Sequence, residues 1–124
     1  GLLHLPDEIG QLRNLRTLNV SYNLLEQLPT TICDLPNLTT LYVNNNRLVE
    51  LPAEIGKLGA TLEFIYADFN CIDEIPASAE RLYKLRTLWV QGNPIRTLPK
   101  GLRALRHLES VRMSNPEPEP EPEA

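Results

Sequence analysis

Aromatic side chains are scarce in this chain of 124 residues, which has one Trp, two Phe and four Tyr. Several of them recurring at one phase of the sequence would therefore need a reason. Cysteine is scarcer still: Cys33 and Cys71 stand at different phases of the pattern described below. No disulfide is expected, and a reducing setting, the cytoplasm, is the better fit. The two histidines, His4 and His107, are unrelated in phase. Cys and His show no metal spacing and there is no glycine-rich phosphate loop, so no cofactor, metal or catalytic site is expected and the chain reads as a non-enzyme. No apolar run approaches the roughly 20 residues of a membrane span, and Gly-Leu-Leu-His at the start lacks the zones of a signal peptide. Hydrophobic residues still make up 42% of the chain, enough for one core.

What is present is a period. The stretch LTTLYVNNNRLVELP, from Leu38 to Pro52, has counterparts beginning at Leu15, Leu62, Leu85 and Leu108. Asn23, Asn46, Asn70 and Asn93 recur at intervals of 23, 24 and 23 residues. A period of about 20 to 29 residues with this pattern indicates a solenoid built from stacked units.

Each unit can be read residue by residue. In LRTLNVSYN, Leu18 and Val20 are two apart and face one side of a short strand, while Thr17, Asn19 and Ser21 face the other. The asparagine ends the strand, and its amide can donate and accept, which suits it to serve the backbone of the loops above and below in a buried ladder. Tyr22 and Phe69, one place before that asparagine, are expected to be half-buried packing residues. The chain then turns outward to Leu-Pro or Ile-Pro, and proline suits the start of a short helical turn. Gly10, Gly56 and Gly101 are expected to ease those bends. The third unit carries one extra residue in Leu58-Gly-Ala-Thr-Leu62, which should bulge on the outer face.

The net charge of −4 conceals a polarity. Residues 1–80 hold four basic and eleven acidic side chains, residues 81–112 hold eight and one, and residues 113–124 hold none and four. The basic stretch is not interleaved with exposed aromatics, so it reads as a solvated face, with neither nucleic acid nor membrane as partner. At the start, Gly1 follows the place where a ladder asparagine would stand. The chain is thus expected to be truncated there, leaving Leu5, Ile9 and Leu12 as an apolar end available for self-association. At the other end, Pro116 replaces the asparagine, and the alternating Pro and Glu of residues 116–124 favour a disordered acidic tail. That tail is expected to fold back over the basic end.

The motifs LPDEIGQLRNLRTLNVSYNLLEQLP, LPTTICDLPNLTTLYVNNNRLVELP and LPAEIGKL resemble the leucine-rich repeat family, specifically its 23-residue intracellular class with LPxxI outer segments. Relatives of that class include Ras-pathway scaffolds, Scribble-type polarity scaffolds, plant Ras-group repeat proteins and the repeat regions of Roco kinases. Bacterial ubiquitin-ligase effectors carry similar LP repeats, but typically shorter ones joined to a separate catalytic domain. The resemblance implies an α/β fold: a right-handed, curved solenoid of about five repeats over residues 1–115, with a short parallel sheet on its concave face. It also implies protein binding on that face, as a non-enzymatic scaffold or signalling module. Two other roles are kept open: a targeting or regulatory region of a larger Roco-type enzyme, and a cytoskeletal or axonemal structural part.

Within such a fold the exposed strand positions alternate with the leucines. Their central column is Asn19, Tyr42, Tyr66, Trp89 and Arg112. Three aromatics in succession on strands roughly 4.8 Å apart can form a stripe, of a size that marks recognition surfaces. Phe64 flanks it on one side, and Asn44, Asp68 and Gln91 on the other, as an apolar centre with a polar rim. The candidate partner site is therefore Tyr42, Tyr66, Trp89, Arg112, Phe64, Asn44, Asp68 and Gln91, with Asp68 read as a polar surface residue. Mutual bracing of the rings is the competing reading.

Overall fold

The computed structural model describes residues 1–114. The Pro-Glu stretch expected to be a disordered tail, and its expected docking, lie outside the described residues.

Among the described residues five short strands form one open, parallel sheet in sequence order: β1 (Thr17–Asn19), β2 (Thr40–Tyr42), β3 (Phe64–Tyr66), β4 (Thr87–Val90) and β5 (Ser110–Met113). The register pairs Thr17 with Thr40, Thr40 with Phe64, Phe64 with Thr87 and Thr87 with Ser110. Strand spacing thus follows the sequence period, and equivalent positions of successive units stand side by side. Strand alternation does the rest: Leu41, Ile65 and Leu88 are buried while their neighbours Tyr42, Tyr66 and Trp89 face outward, half-buried.

Opposite the sheet, each unit returns through a 3₁₀ turn, over Asp7–Gln11, Thr30–Asp34, Ile55–Leu58, Ala77–Arg81 and Leu102–Ala104. Every turn is opened by a proline. The carbonyls of Pro6, Pro29, Pro52, Pro76 and Pro99 accept the N–H of Ile9, Ile32, Ile55, Ala79 and Leu102, at 3.0–3.1 Å. A residue lacking a donor is well placed where only its acceptor is used. Between sheet and turns lies one continuous core, with Leu25, Leu48, Ile72 and Ile95 all at or below 1% exposure.

Gly10 and Gly56 do not act as expected. Gly56 is there because the next turn leaves no space: a Cβ on it would collide with the Ser78 carbonyl. At Gly10 the obstacle is Thr31, whose carbonyl oxygen would lie 2.7 Å away. Their role is close approach of neighbouring turns, with the bend itself made by the 3₁₀ geometry. The extra residue of the third unit sits on the outer side as anticipated. Leu62 N–H donates to Leu58 O at 2.8 Å, four residues back, where Leu15 and Leu85 bond three residues back to Leu12 and Leu82.

The asparagine ladder reaches only one way. Asn46, Asn70 and Asn93 are buried at 4–8% exposure. Asn70 Nδ2 donates to Val43 O at 3.0 Å and Ala67 O at 3.1 Å, and its Oδ1 accepts Leu48 N–H at 3.0 Å. Asn46 and Asn93 repeat the arrangement. Each amide therefore ties its own unit to the preceding one, and the expected bonds to the following loop are not made. Asn23 is half-buried, bonding Val20 O and accepting from Leu2 N–H at 2.8 Å.

The first unit leaves apolar surface uncovered. Leu2, Leu3 and Leu12 are 50–59% exposed, while Leu5 and Ile9 are half-buried against the core. No helix among the described residues is long and apolar enough to cross a membrane.

Candidate functional site

The sheet brings the central column together. Tyr42 and Tyr66 stack with centroids 4.7 Å apart and planes 14° from parallel. Trp89 meets Tyr66 edge-on at 5.0 Å, and Phe64 lies 6.4 Å from Tyr66 on the same strand. Backbone register and side-chain stacking coincide because the strand separation is close to the spacing of stacked rings. All four rings are half-buried. They brace one another and leave apolar surface on an open face at the same time.

The stripe continues into charge. Arg112 places its guanidinium carbon 3.8 Å from the Trp89 ring centroid, and its Nη1 stands 4.0 Å from Asp68 Oδ2. Trp89 itself is oriented by Nε1–H, which donates to Ser110 Oγ at 2.9 Å.

Asp68 corrects the sequence reading. Instead of lying on the surface it is buried, at 9% exposure, and its Oδ1 accepts the Gln91 N–H at 2.7 Å. Burial raises the Asp68 carboxyl above the ordinary aspartate value, against the opposing pull of that N–H and of Arg112. Burial also raises the Tyr66 phenol, with the Tyr42 phenol adding to it. Asn44 is half-buried and accepts Ser21 Oγ–H at 2.9 Å, while Gln91 is exposed. Ser21, Tyr42, Asn44, Tyr66, Asp68 and Trp89 line an open cleft of about 410 Å³.

Two further readings change. Tyr22 and Phe69, expected to be half-buried, are 75% and 53% exposed. Both lie in the left-handed region at φ 59°, and the equivalent residues Asn45 and Gly92 have φ 58° and 76°. That backbone turns the side chain away from the core, so the column forms an outer rim beside the cleft. Phe69 lies over Gly92, where a Cβ would run into its ring. The basic stretch is also less separate from aromatics than expected: Tyr83, between Leu82 and Lys84, is 56% exposed, and Arg112 stacks on Trp89. Arg86 is paired with Glu63 at 3.1 Å. Among the described residues no group of three or more His, Cys, Asp or Glu could hold a metal ion.

A family model described as a leucine-rich repeat region matches residues 1–60. Solved structures extend the likeness over nearly the whole chain. The leucine-rich repeat domain of the type III effector XopL is 28% identical with a TM-score of 0.81, over 91% of this chain and 41% of that one. The chain has the leucine-rich repeat fold. A leucine-rich repeat protein of Leptospira interrogans is 27% identical, with a TM-score of 0.58, over 88% of this chain and 34% of that one. The plant peptide hormone receptor RGFR1, in complex with RGF2, is 26% identical, with a TM-score of 0.69, over 89% of this chain and 22% of that one. The chain thus spans less than half the length of each. A type III effector stands among the similar structures, although the sequence set bacterial ubiquitin-ligase effectors aside on repeat length and on their separate catalytic domain. No curated protein matches by sequence.

Proposed function

We propose that this leucine-rich repeat chain is a non-enzymatic protein-recognition module that holds its partner on the concave face of the sheet. One observation carries the reading. Tyr42, Tyr66 and Trp89 form a continuous, half-exposed aromatic stripe at the position that varies between two buried apolar ones, Leu41, Ile65 and Leu88 on one side and Val43, Ala67 and Val90 on the other. Aromatic anchors with a polar rim are the usual centre of a protein interface. The rim is supplied by Asn44 and Gln91, with Phe64 and Arg112 completing the surface and the buried Asp68 lining the cleft. A fold relative solved as a receptor with its peptide hormone supports the same use. The chain's place within longer relatives is compatible with its being the recognition part of a larger protein. A cytoplasmic setting and the 23-residue intracellular class belong to this proposal, supported by two free thiols, one buried and one exposed, and by the repeat period.

The test compares proteins captured by the wild type, by a concave variant (Tyr42→Ala with Trp89→Ala) and by a distal one (Lys100→Glu). A partner kept by the wild type and the distal variant, and lost by the concave variant while circular dichroism is unchanged, is the expected result. A partner lost only when the fold is lost would leave the rings as braces.

A further inference from the structure

Arg112 is a cation that the chain seats on its own recognition surface. It reaches from β5 across Trp89 on β4 toward Asp68, which follows β3. The indole supplies an electron-rich face at 3.8 Å, and the carboxylate supplies charge at 4.0 Å. That ion pair is long, because a charge-assisted bond between guanidinium and carboxylate closes to about 2.7–2.9 Å. The Arg112 side chain is 48% exposed, whereas that of Asp68 is 13% exposed. The carboxylate of the seat is thus largely desolvated, while its occupant is half-exposed and held by the indole and a long ion pair. Gln91 N–H fixes Asp68 Oδ1, and Ser110 fixes the indole.

The seat opens onto the cleft that Tyr42, Asn44 and Tyr66 also line. Neither phenolic oxygen there has a hydrogen-bond partner among the described residues. Of the residues that line the cleft only Asp68 is charged, and its sign favours a cationic ligand. A planar guanidinium stacks on indole and pairs with carboxylate at once, which an ammonium does less well.

We propose that the Trp89–Asp68 seat recognises an arginine side chain of a basic peptide segment lying in the cleft, and that Arg112 is its internal occupant, displaced when that segment binds. The inference rests on the concave-face reading and adds the chemistry of the partner. An acidic occupant, such as the Pro-Glu stretch of this chain, would instead use Arg112 as its anchor. The two occupants respond in opposite ways to removal of Arg112.

Trp89 is the only tryptophan of the chain, so its fluorescence reports on the seat directly. The full chain, Arg112→Ala and the double variant Asp68→Asn with Arg112→Ala are titrated with a capped tetra-arginine peptide and a capped tetra-glutamate peptide. Removing Arg112 is expected to tighten tetra-arginine binding roughly 10-fold, and Asp68→Asn to abolish that gain. The proposal is overturned if Arg112→Ala binds tetra-arginine no better than the wild type, if the gain survives Asp68→Asn, or if tetra-glutamate is the preferred peptide. Thermal melts accompany each titration, and Arg112→Gln, which keeps the aliphatic stem, replaces Arg112→Ala should that variant unfold. Should the concave variant lose its partner while tetra-arginine fails to bind, the seat falls and the concave-face reading stands.

Discussion

Asn70 donates to the carbonyl of Val43, one repeat back, at 3.0 Å, and so couples two units through a single buried amide. Replacing it with alanine leaves the buried Leu48 N–H without a partner, while Val43 O and Ala67 O each lose one of two donors and keep Asn46 and Asn93; a buried unsatisfied group costs about 1–3 kcal/mol. Asn70→Ala is expected to lower stability by about 2–3 kcal/mol in urea unfolding. Asn23→Ala is expected to cost about 1 kcal/mol, because that amide is half-buried and reaches no preceding strand. Equal losses at the two sites would contradict the one-way ladder.

Gly92 adopts φ 76° beneath the Phe69 ring. Alanine there meets both a backbone penalty of about 1–2 kcal/mol and the ring. Gly92→Ala should therefore destabilise more in the wild type than in a Phe69→Ala background, where only the backbone part remains. A double-mutant cycle by thermal unfolding reads the difference directly.

The two thiols should separate cleanly. Cys33 is buried and its thiol is pushed up to about 11, by desolvation first and then by Asp34, so at pH 8 only roughly a thousandth of it is thiolate. Cys71 is exposed. A chromogenic disulfide reagent is expected to titrate one thiol in the native chain and both in denaturant. Cys71→Ser should abolish the native reaction.

Asp68 gives a pH dependence of definite sign. Its carboxyl is raised on folding, chiefly by burial, so the folded chain holds that proton more firmly than the unfolded chain does. Its stabilising contribution is complete below the unfolded value, about 3.9, and is lost as pH rises through the higher folded value. Asp68→Asn keeps an oxygen for Gln91 N–H and removes the titration. The melting temperature of the variant relative to wild type should thus increase between pH 3.5 and pH 7. A relative decrease would mean that Arg112 and the Gln91 N–H outweigh burial.

Most of the fold was legible because it depends on spacing. Asn23, Asn46, Asn70 and Asn93 repeat at the interval at which the strands pair, and Leu41 and Val43 alternate with Tyr42 as a strand requires. The aromatic stripe was legible for the same reason. What the sequence concealed depends on backbone conformation and on neighbours distant in the chain. Tyr22 and Phe69 read as packing residues because ring size suggests burial, whereas a left-handed backbone turns them outward. Asp68 read as surface because aspartate usually is, yet the ladder loop encloses it and the N–H of Gln91 compensates part of the cost. Gly56 read as easing a bend, although it is a contact with a turn about one period away.

The Leu62–Leu58 bond shows how the chain absorbs a residue out of step. The addition widens a turn on the outer side by one peptide, and Thr40, Phe64 and Thr87 remain in line across β2, β3 and β4. Length is therefore counted differently on the two sides of the molecule. The outer contour tolerates insertion, while the inner one works as a ruler graduated in repeats, on which any ligand meets its contacts at fixed intervals.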